Sequence, residues 1–229
     1  MTATPVAAPA EHAQGDAVRL RITEIFFSLQ GETSRVGLPT AFVRLTGCPL
    51  RCGYCDTAYA FHGGRMMDLD AVLAEVAATG AHWVTVTGGE PLAQRGCLDL
   101  LRALCDRGLS VSLETSGALD ISAVDARVST ILDLKTPGSG EASRNLWQNL
   151  EHLDRDDEVK FVLCDEADYA WAKSMLEAHA IAARCPVLFS PSFHQLPAAT
   201  LAGWILRDRL PVRMQVQLHK QLWGEAQGR

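Results

Sequence analysis

Cys48, Cys52 and Cys55 fall together in the stretch TGCPLRCGYC. Thiolates are soft ligands suited to iron, and the spacing C-x3-C-x2-C can wrap a cube-shaped iron–sulfur cluster. An electron-transfer cluster normally has four cysteines, so three would leave one iron open to a small molecule. A structural zinc site competes, but it needs four ligands, typically in paired C-x2-C or Cys/His units. No second pair is present: Cys97, Cys105, Cys164 and Cys185 are scattered and read as small buried hydrophobes. A third alternative, three core cysteines, fits poorly with Pro49, Arg51 and Gly53 between them. Spacing alone places the cluster ahead of zinc.

A second constellation is Thr87-Gly88-Gly89-Glu90-Pro91. Two glycines permit close backbone approach, and carbonyls together with Glu90 can receive an ammonium group. By itself the tetrapeptide GGEP is equally a turn.

Both constellations need a frame. Short β-branched or apolar runs predict strands over 19–26, 41–45, 83–87, 110–114, 130–134, 159–163, 186–189 and 212–218. Helical patterns lie between them over 69–79, 98–107, 143–152, 169–179 and 197–207. Alternating strands and helices imply parallel pairing with right-handed crossovers. About six such units are too few for a closed eight-stranded barrel, so the expectation is an α/β fold, a single-domain partial (β/α)6-type barrel. A doubly wound sheet is the alternative, though no G-x-G-x-x-G follows a strand. In the barrel, the cysteine loop follows the first strand and the GGEP turn follows the second, both at the C-terminal ends where sites form.

Composition bounds the partners. The 229 residues are 48% hydrophobic and 21% charged, values of a globular chain with a sizeable core. A net charge of −6 argues against a general electrostatic grip on nucleic acid or an anionic membrane. No apolar run approaches the ~20 residues a bilayer span requires. Residues 1–17 are rich in Ala and small or polar side chains, without the basic start and apolar stretch of a signal peptide; they read as a disordered tail. Residues 225–229 read as a second loose tail, leaving 18–224 as the domain. Seven cysteines in such a chain are expected to be reduced, which points to the cytoplasm.

The arrangement resembles the radical S-adenosylmethionine superfamily, whose hallmark is C-x3-C-x2-C with an aromatic residue, here Tyr54, before the last cysteine. The G-G-E-P element one βα unit later fits the same superfamily. Within it the chain is similar to the 7-carboxy-7-deazaguanine synthase family. The likeness is carried by ITEIFFSLQGE from Ile22, GLPTAFVRL from Gly37, Cys55-Asp56-Thr57, Leu113-Glu114-Thr115-Ser116-Gly117, Asp133-Leu134-Lys135 and Gln217-Leu218-His219-Lys220. It covers nearly everything from Arg19 to Gly224.

The resemblance implies a ring-contracting lyase that turns 6-carboxy-5,6,7,8-tetrahydropterin into 7-carboxy-7-deazaguanine with loss of ammonia, on the route to queuosine. It implies a 4Fe-4S cluster on Cys48, Cys52 and Cys55, S-adenosylmethionine, and a magnesium ion at Thr57. It also implies a homodimer and an external electron donor such as a flavodoxin. Cofactor contacts would come from Tyr54, Cys55, Asp56, Gly88, Gly89, Glu90, Ser116, Asp133, Leu134, Lys135, Ser190, Pro191, Ser192 and Phe193. Substrate contacts would come from Leu29, Gln30, Gly31, Arg44 and Thr87, with Glu32, Glu114 and His219 as catalytic candidates.

Several of these have plain structural alternatives. Thr57 offers magnesium a hard oxygen, or it caps the following turn. Arg44 can pair its planar fork with a substrate carboxylate, or it forms a structural ion pair. Gln30 is otherwise a turn residue, His219 a structural histidine, and Glu32 and Glu114 solvated carboxylates. The chain also departs from many relatives, reading Phe189-Ser190-Pro191 where a glutamine often precedes the proline, and running past the His-Lys stretch to Arg229. The rival functions are a glycyl-radical activase, which has no need of 29–32 or Thr57, and a non-catalytic iron–sulfur or zinc scaffold.

Overall fold

The computed structural model describes residues 18–228. Its strands are β1 (Arg19–Leu29), β2 (Pro39–Leu45), β3 (Arg65–Asp68), β4 (Trp83–Gly88), β5 (Ser110–Thr115), β6 (Ser129–Leu134), β7 (Glu158–Leu163), β8 (Val187–Pro191) and β9 (Arg213–Met214). The helices are α1 (Leu69–Ala78), α2 (Cys97–Asp106), α3 (Glu166–Ala178), α4 (Ala198–Asp208) and α5 (Leu218–Trp223). One sheet holds all the strands in the order β3-β1-β2-β4-β5-β6-β7-β8-β9. From β2 to β9 every pairing is parallel, whereas β1 runs antiparallel to both β2 and β3. The order never returns to its start, so the barrel is partial, as the alternation of elements predicts.

Period-two alternation sorts each strand into two rows. One row faces the helices: Ala41, Val43 and Leu45, Val84 and Val86, and Val111 and Leu113 form one apolar cluster with α1 and α2. Leu132 and Leu134, Val159, Phe161 and Leu163, and Val187 and Phe189 form a second with α3 and α4. Helix α2 shows why it docks: Cys97, Leu100, Leu101, Leu104 and Cys105 recur at helical spacing and are all buried. The other row points into the barrel, and it carries Thr85, Thr87, Ser112, Glu114, Asp133 and Lys160.

The direction of β1 positions the floor. Because β1 is antiparallel to β2, its end at Leu29 lies beside Pro39, opposite the cluster loop. The loop after it plugs that end: Ser34 N donates to Glu158 Oε1 at 2.9 Å, and the Arg35 guanidinium sits 4.9 Å from the Trp83 ring. The chain beyond β9 comes back to the same loop, with Gln215 Nε2 donating to Thr33 O and Leu218 N to Gly31 O, both at 2.9 Å.

Three sequence expectations need correction. The helix over 143–152 is instead two 3-10 segments, Ala142–Arg144 and Trp147–His152. The strand over 212–218 shrinks to Arg213–Met214, and helix α5 starts at Leu218. Strand β3 has no counterpart among the expected strands, whereas the β5–β6 connection, for which no helix is expected, indeed contains only turns. The expected tail over 1–17 lies outside the described residues.

Candidate active site

A cavity of about 620 Å³ opens at the C-terminal ends of the parallel strands. Cys48, Cys52 and Cys55 all line it, on the loop that leaves β2. The loop is tied down along its length. Gly47 N donates to Ala60 O at 2.8 Å, Gly53 N to Ser139 O at 3.0 Å and Arg51 N to Glu141 Oε1 at 2.6 Å. The Arg51 guanidinium donates back to Cys48 O at 2.8 Å and lies 4.4 Å from the Phe61 ring.

The GGEP turn abuts this loop. Glu90 N donates to Gly47 O at 2.8 Å, and a Cβ on Gly89 would lie 2.7 Å from Cys48 Cβ, so only glycine allows the approach. Gly88 and Gly89 line the cavity. Glu90, read from sequence as an ammonium acceptor, is fully buried and already occupied. It accepts from Leu92 N at 3.0 Å, from Thr115 Oγ1 at 2.9 Å, from Ser116 N at 2.7 Å and from Ser116 Oγ. It therefore locks the turn to the end of β5 and does not face the cavity.

All three cluster-loop cysteines are free thiols. Burial pushes each of them up, and the Lys135 ammonium pulls each partly back. A cationic iron cluster supplies the charge that would hold them as thiolates. Among the described residues no three His, Cys, Asp or Glu are gathered closely enough for a single metal ion. Three thiolates suit a cube-shaped cluster with one iron left open better than a structural zinc ion, which needs a fourth ligand. The donor set and the glycine-lined cradle beside it thus fit an iron–sulfur cluster.

Further round the mouth, Tyr54, Ser116, Asp133, Lys135, Ser190, Pro191, Ser192 and Phe193 line the cavity. The Tyr54 hydroxyl is buried with no partner among the described residues, and burial raises its pKa. Asp133 and Lys135 form an ion pair at 3.2 Å, and Asn145 holds the Lys135 backbone from both sides, at 2.8 and 2.9 Å. Leu134 lies on the other row, buried against the helices and away from the cavity.

Asp56 and Thr57 end the loop. Thr57 Oγ1 donates to Asp56 Oδ1 at 2.9 Å and makes no capping bond to the 3-10 turn that follows. Burial alone would raise the Asp56 carboxyl, but Lys220 at 2.8 Å, with Thr57 and Gln217, holds it well below the usual carboxylate range.

On the floor side, Gln30 Nε2 donates to Thr85 Oγ1 at 3.1 Å and to Glu114 Oε1 at 3.4 Å, while Thr87 Oγ1 donates to Glu114 Oε2 at 3.0 Å. Burial, then the charge of Glu32, raises the Glu114 carboxyl. Glu32 goes the other way: burial opposes its ionisation, but Lys160 and Gln217 bring its pKa down. His219 packs on Gly31, where any side chain would strike its ring, and burial lowers its pKa. Arg44 lines the cavity, but its Nε is engaged by Glu24 at 2.7 Å, with the Tyr59 hydroxyl on the same carboxylate at 2.8 Å. Residues 225–228, expected as a tail, line the mouth, and Glu225 lies 3.4 Å from His194.

Sequence reasoning missed Lys160 and did not single out the side chain of Gln217. The signal for Lys160 was present, since a lone lysine in the apolar strand EVKFVL demands a buried partner just as Arg44 does.

The fold and site define a radical S-adenosylmethionine protein, and the family model "Radical SAM superfamily" matches residues 42–135. The chain is 51% identical to the 7-carboxy-7-deazaguanine synthase of Chlorobaculum tepidum over 209 residues, 90% of this chain and 94% of that relative. It is 42% identical to the synthase of the same name from Koribacter versatilis, over 89% of this chain and 97% of the other. The chain belongs to the 7-carboxy-7-deazaguanine synthase family. Among solved structures, QueE from Escherichia coli shares the fold with a TM-score of 0.71 at 23% identity, over 88% of this chain and 95% of that one. No helix among the described residues is long and apolar enough to cross a membrane.

Proposed function

We propose that this protein converts 6-carboxy-5,6,7,8-tetrahydropterin to 7-carboxy-7-deazaguanine with loss of ammonia, in 7-deazapurine and queuosine biosynthesis. The observation that carries the reading is one cavity that joins the cysteine loop to a floor of buried carboxylates, Glu32 and Glu114. When bound, the cluster and S-adenosylmethionine supply the carbon-centred radical that starts the reaction. Cys48, Cys52 and Cys55 hold the cluster. Gly88, Gly89 and Ser116 receive the methionine end of the cofactor, while Asp133, Lys135 and 190–193 flank its adenosyl end.

The pterin's 2-amino and ring N–H groups are adjacent donors, and carboxylates with the Gln30 amide are their natural acceptors. Arg44 faces the substrate carboxylate, and Thr87 fixes Glu114 against the ring. Burial and the charge of Glu32 raise the Glu114 carboxyl above its ordinary value, which suits it to exchange a proton with the departing nitrogen. Thr57, free of any capping bond, offers an oxygen to a magnesium ion shared with substrate and water. The same reading has the protein as a cytoplasmic homodimer served by an external electron donor such as a flavodoxin.

Anaerobic reconstitution, reduction and incubation with S-adenosylmethionine, magnesium and the carboxytetrahydropterin tests this by mass spectrometry. Deazaguanine carboxylate together with ammonia is expected. Formation of 5′-deoxyadenosine with no such product would keep the radical chemistry and discard the substrate.

A further inference from the structure

Lys160 lines the cavity, and none of the roles above uses it. Its side chain is only 11% exposed and leaves β7 opposite Asp133 in the strand register. The ammonium is paired directly with Glu32 and lies 3.6 Å from Asp133. It thus touches one carboxylate on the floor and one on the cofactor side.

The two carboxylates do not depend on it equally. Asp133 has a second cation, Lys135 at 3.2 Å. Among the described residues Glu32 pairs with no other cation, and its remaining side-chain partner is the neutral amide of Gln217 at 2.8 Å. A buried carboxylate that loses its only countercharge is driven toward water or another partner, since uncompensated burial of charge is strongly unfavourable. We propose that Lys160 is a positioning residue for the substrate, acting through Glu32, which it fixes in place as the floor's charged acceptor.

The inference rests on the proposed pterin reaction for its kinetic arm only. In reconstituted holoenzyme, Lys160→Met is expected to raise the KM for the pterin about tenfold or more, while S-adenosylmethionine affinity changes by less than about threefold. Lys160→Arg recovers most of the loss by keeping the charge. Because Lys160 acts through Glu32, the double variant Lys160→Met/Glu32→Gln is no worse than Glu32→Gln alone, within about twofold. Multiplying effects in the double variant, or parallel loss of both affinities, would overturn the proposal.

A second arm needs no substrate: the crystal structure of Lys160→Met. Glu32 is expected to leave its place beside β7 while Asp133 stays on Lys135. An unmoved Glu32, or displacement of both carboxylates, contradicts the proposal. If the wild type makes no deazaguanine, the proposed reaction fails, and this structural arm still decides the role of Lys160.

Discussion

On β5, Val111 and Leu113 are sealed against α1 and α2, while their chain neighbours Ser112 and Glu114 point into the barrel and bond to Thr85 and Thr87. On β7 the same division puts Val159 and Phe161 with the helices and Lys160 against Glu32. The two rows of one sheet therefore serve different ends. The outer row gains free energy by removing apolar surface from water, about 25 cal/mol per Å². The inner row buries ionisable groups, which stabilises little and can cost, but it holds charge and hydrogen-bond donors where a ligand will meet them. Folding and chemistry are separated by the direction of alternate side chains.

That separation can be broken experimentally. The largest effect falls where the fold contributes least: Cys52→Ala should abolish both the cluster's visible absorbance and cleavage of S-adenosylmethionine, leaving the melting of the cluster-free protein unchanged. In the outer row, Phe161 contacts Trp171 and Phe189 edge-on, with ring centroids 6.2 and 5.6 Å away. Phe161→Ala should lower unfolding free energy by about 3–5 kcal/mol in chemical denaturation, with turnover per folded molecule retained. Glu90 belongs to both worlds. Glu90→Gln leaves its donors imperfectly met, so a loss of about 1–3 kcal/mol should come with weaker S-adenosylmethionine binding, read by calorimetry.

The smallest effect concerns pH. The folded pKa of Glu114 lies above its unfolded value, so its contribution to stability is complete below the ordinary glutamate pKa and is lost as pH rises through the folded one. Glu114→Gln should therefore be at least as stable as the wild type at pH 8, and the difference should shrink in acid. A variant that melts much earlier at pH 8 would show that ionised Glu114 supports the fold.

The same division explains which features are legible in the sequence. Runs such as WVTVTG and SVSLET alternate cleanly, so their strands and inward polar residues can be read from residue order alone, and the cysteine loop follows from spacing. What cannot be read that way depends on distant partners. The segment over 143–152 has apolar residues at intervals that suit a helix, but Asn149 is drawn to the carbonyls of Gly117 and Leu119, and Asn145 to Lys135. The run over 212–218 is rich in strand formers, yet Gln215 and Gln217 leave the sheet for Thr33, Glu32 and Asp56, far off in sequence. Glu90 reads as a ligand because its neighbours do, and only its burial by Thr115 and Ser116 shows it as a brace.

The measurement that bears most directly on the separation takes two adjacent residues of β5 and reads melting and turnover in the same samples. Leu113→Ala should lose about 2–5 kcal/mol of stability and keep its turnover per folded molecule. Glu114→Gln should keep its melting and lose turnover at least ~10-fold. If turnover survived in Glu114→Gln, or if both variants lost stability and activity in step, the division of labour between the two rows would be wrong.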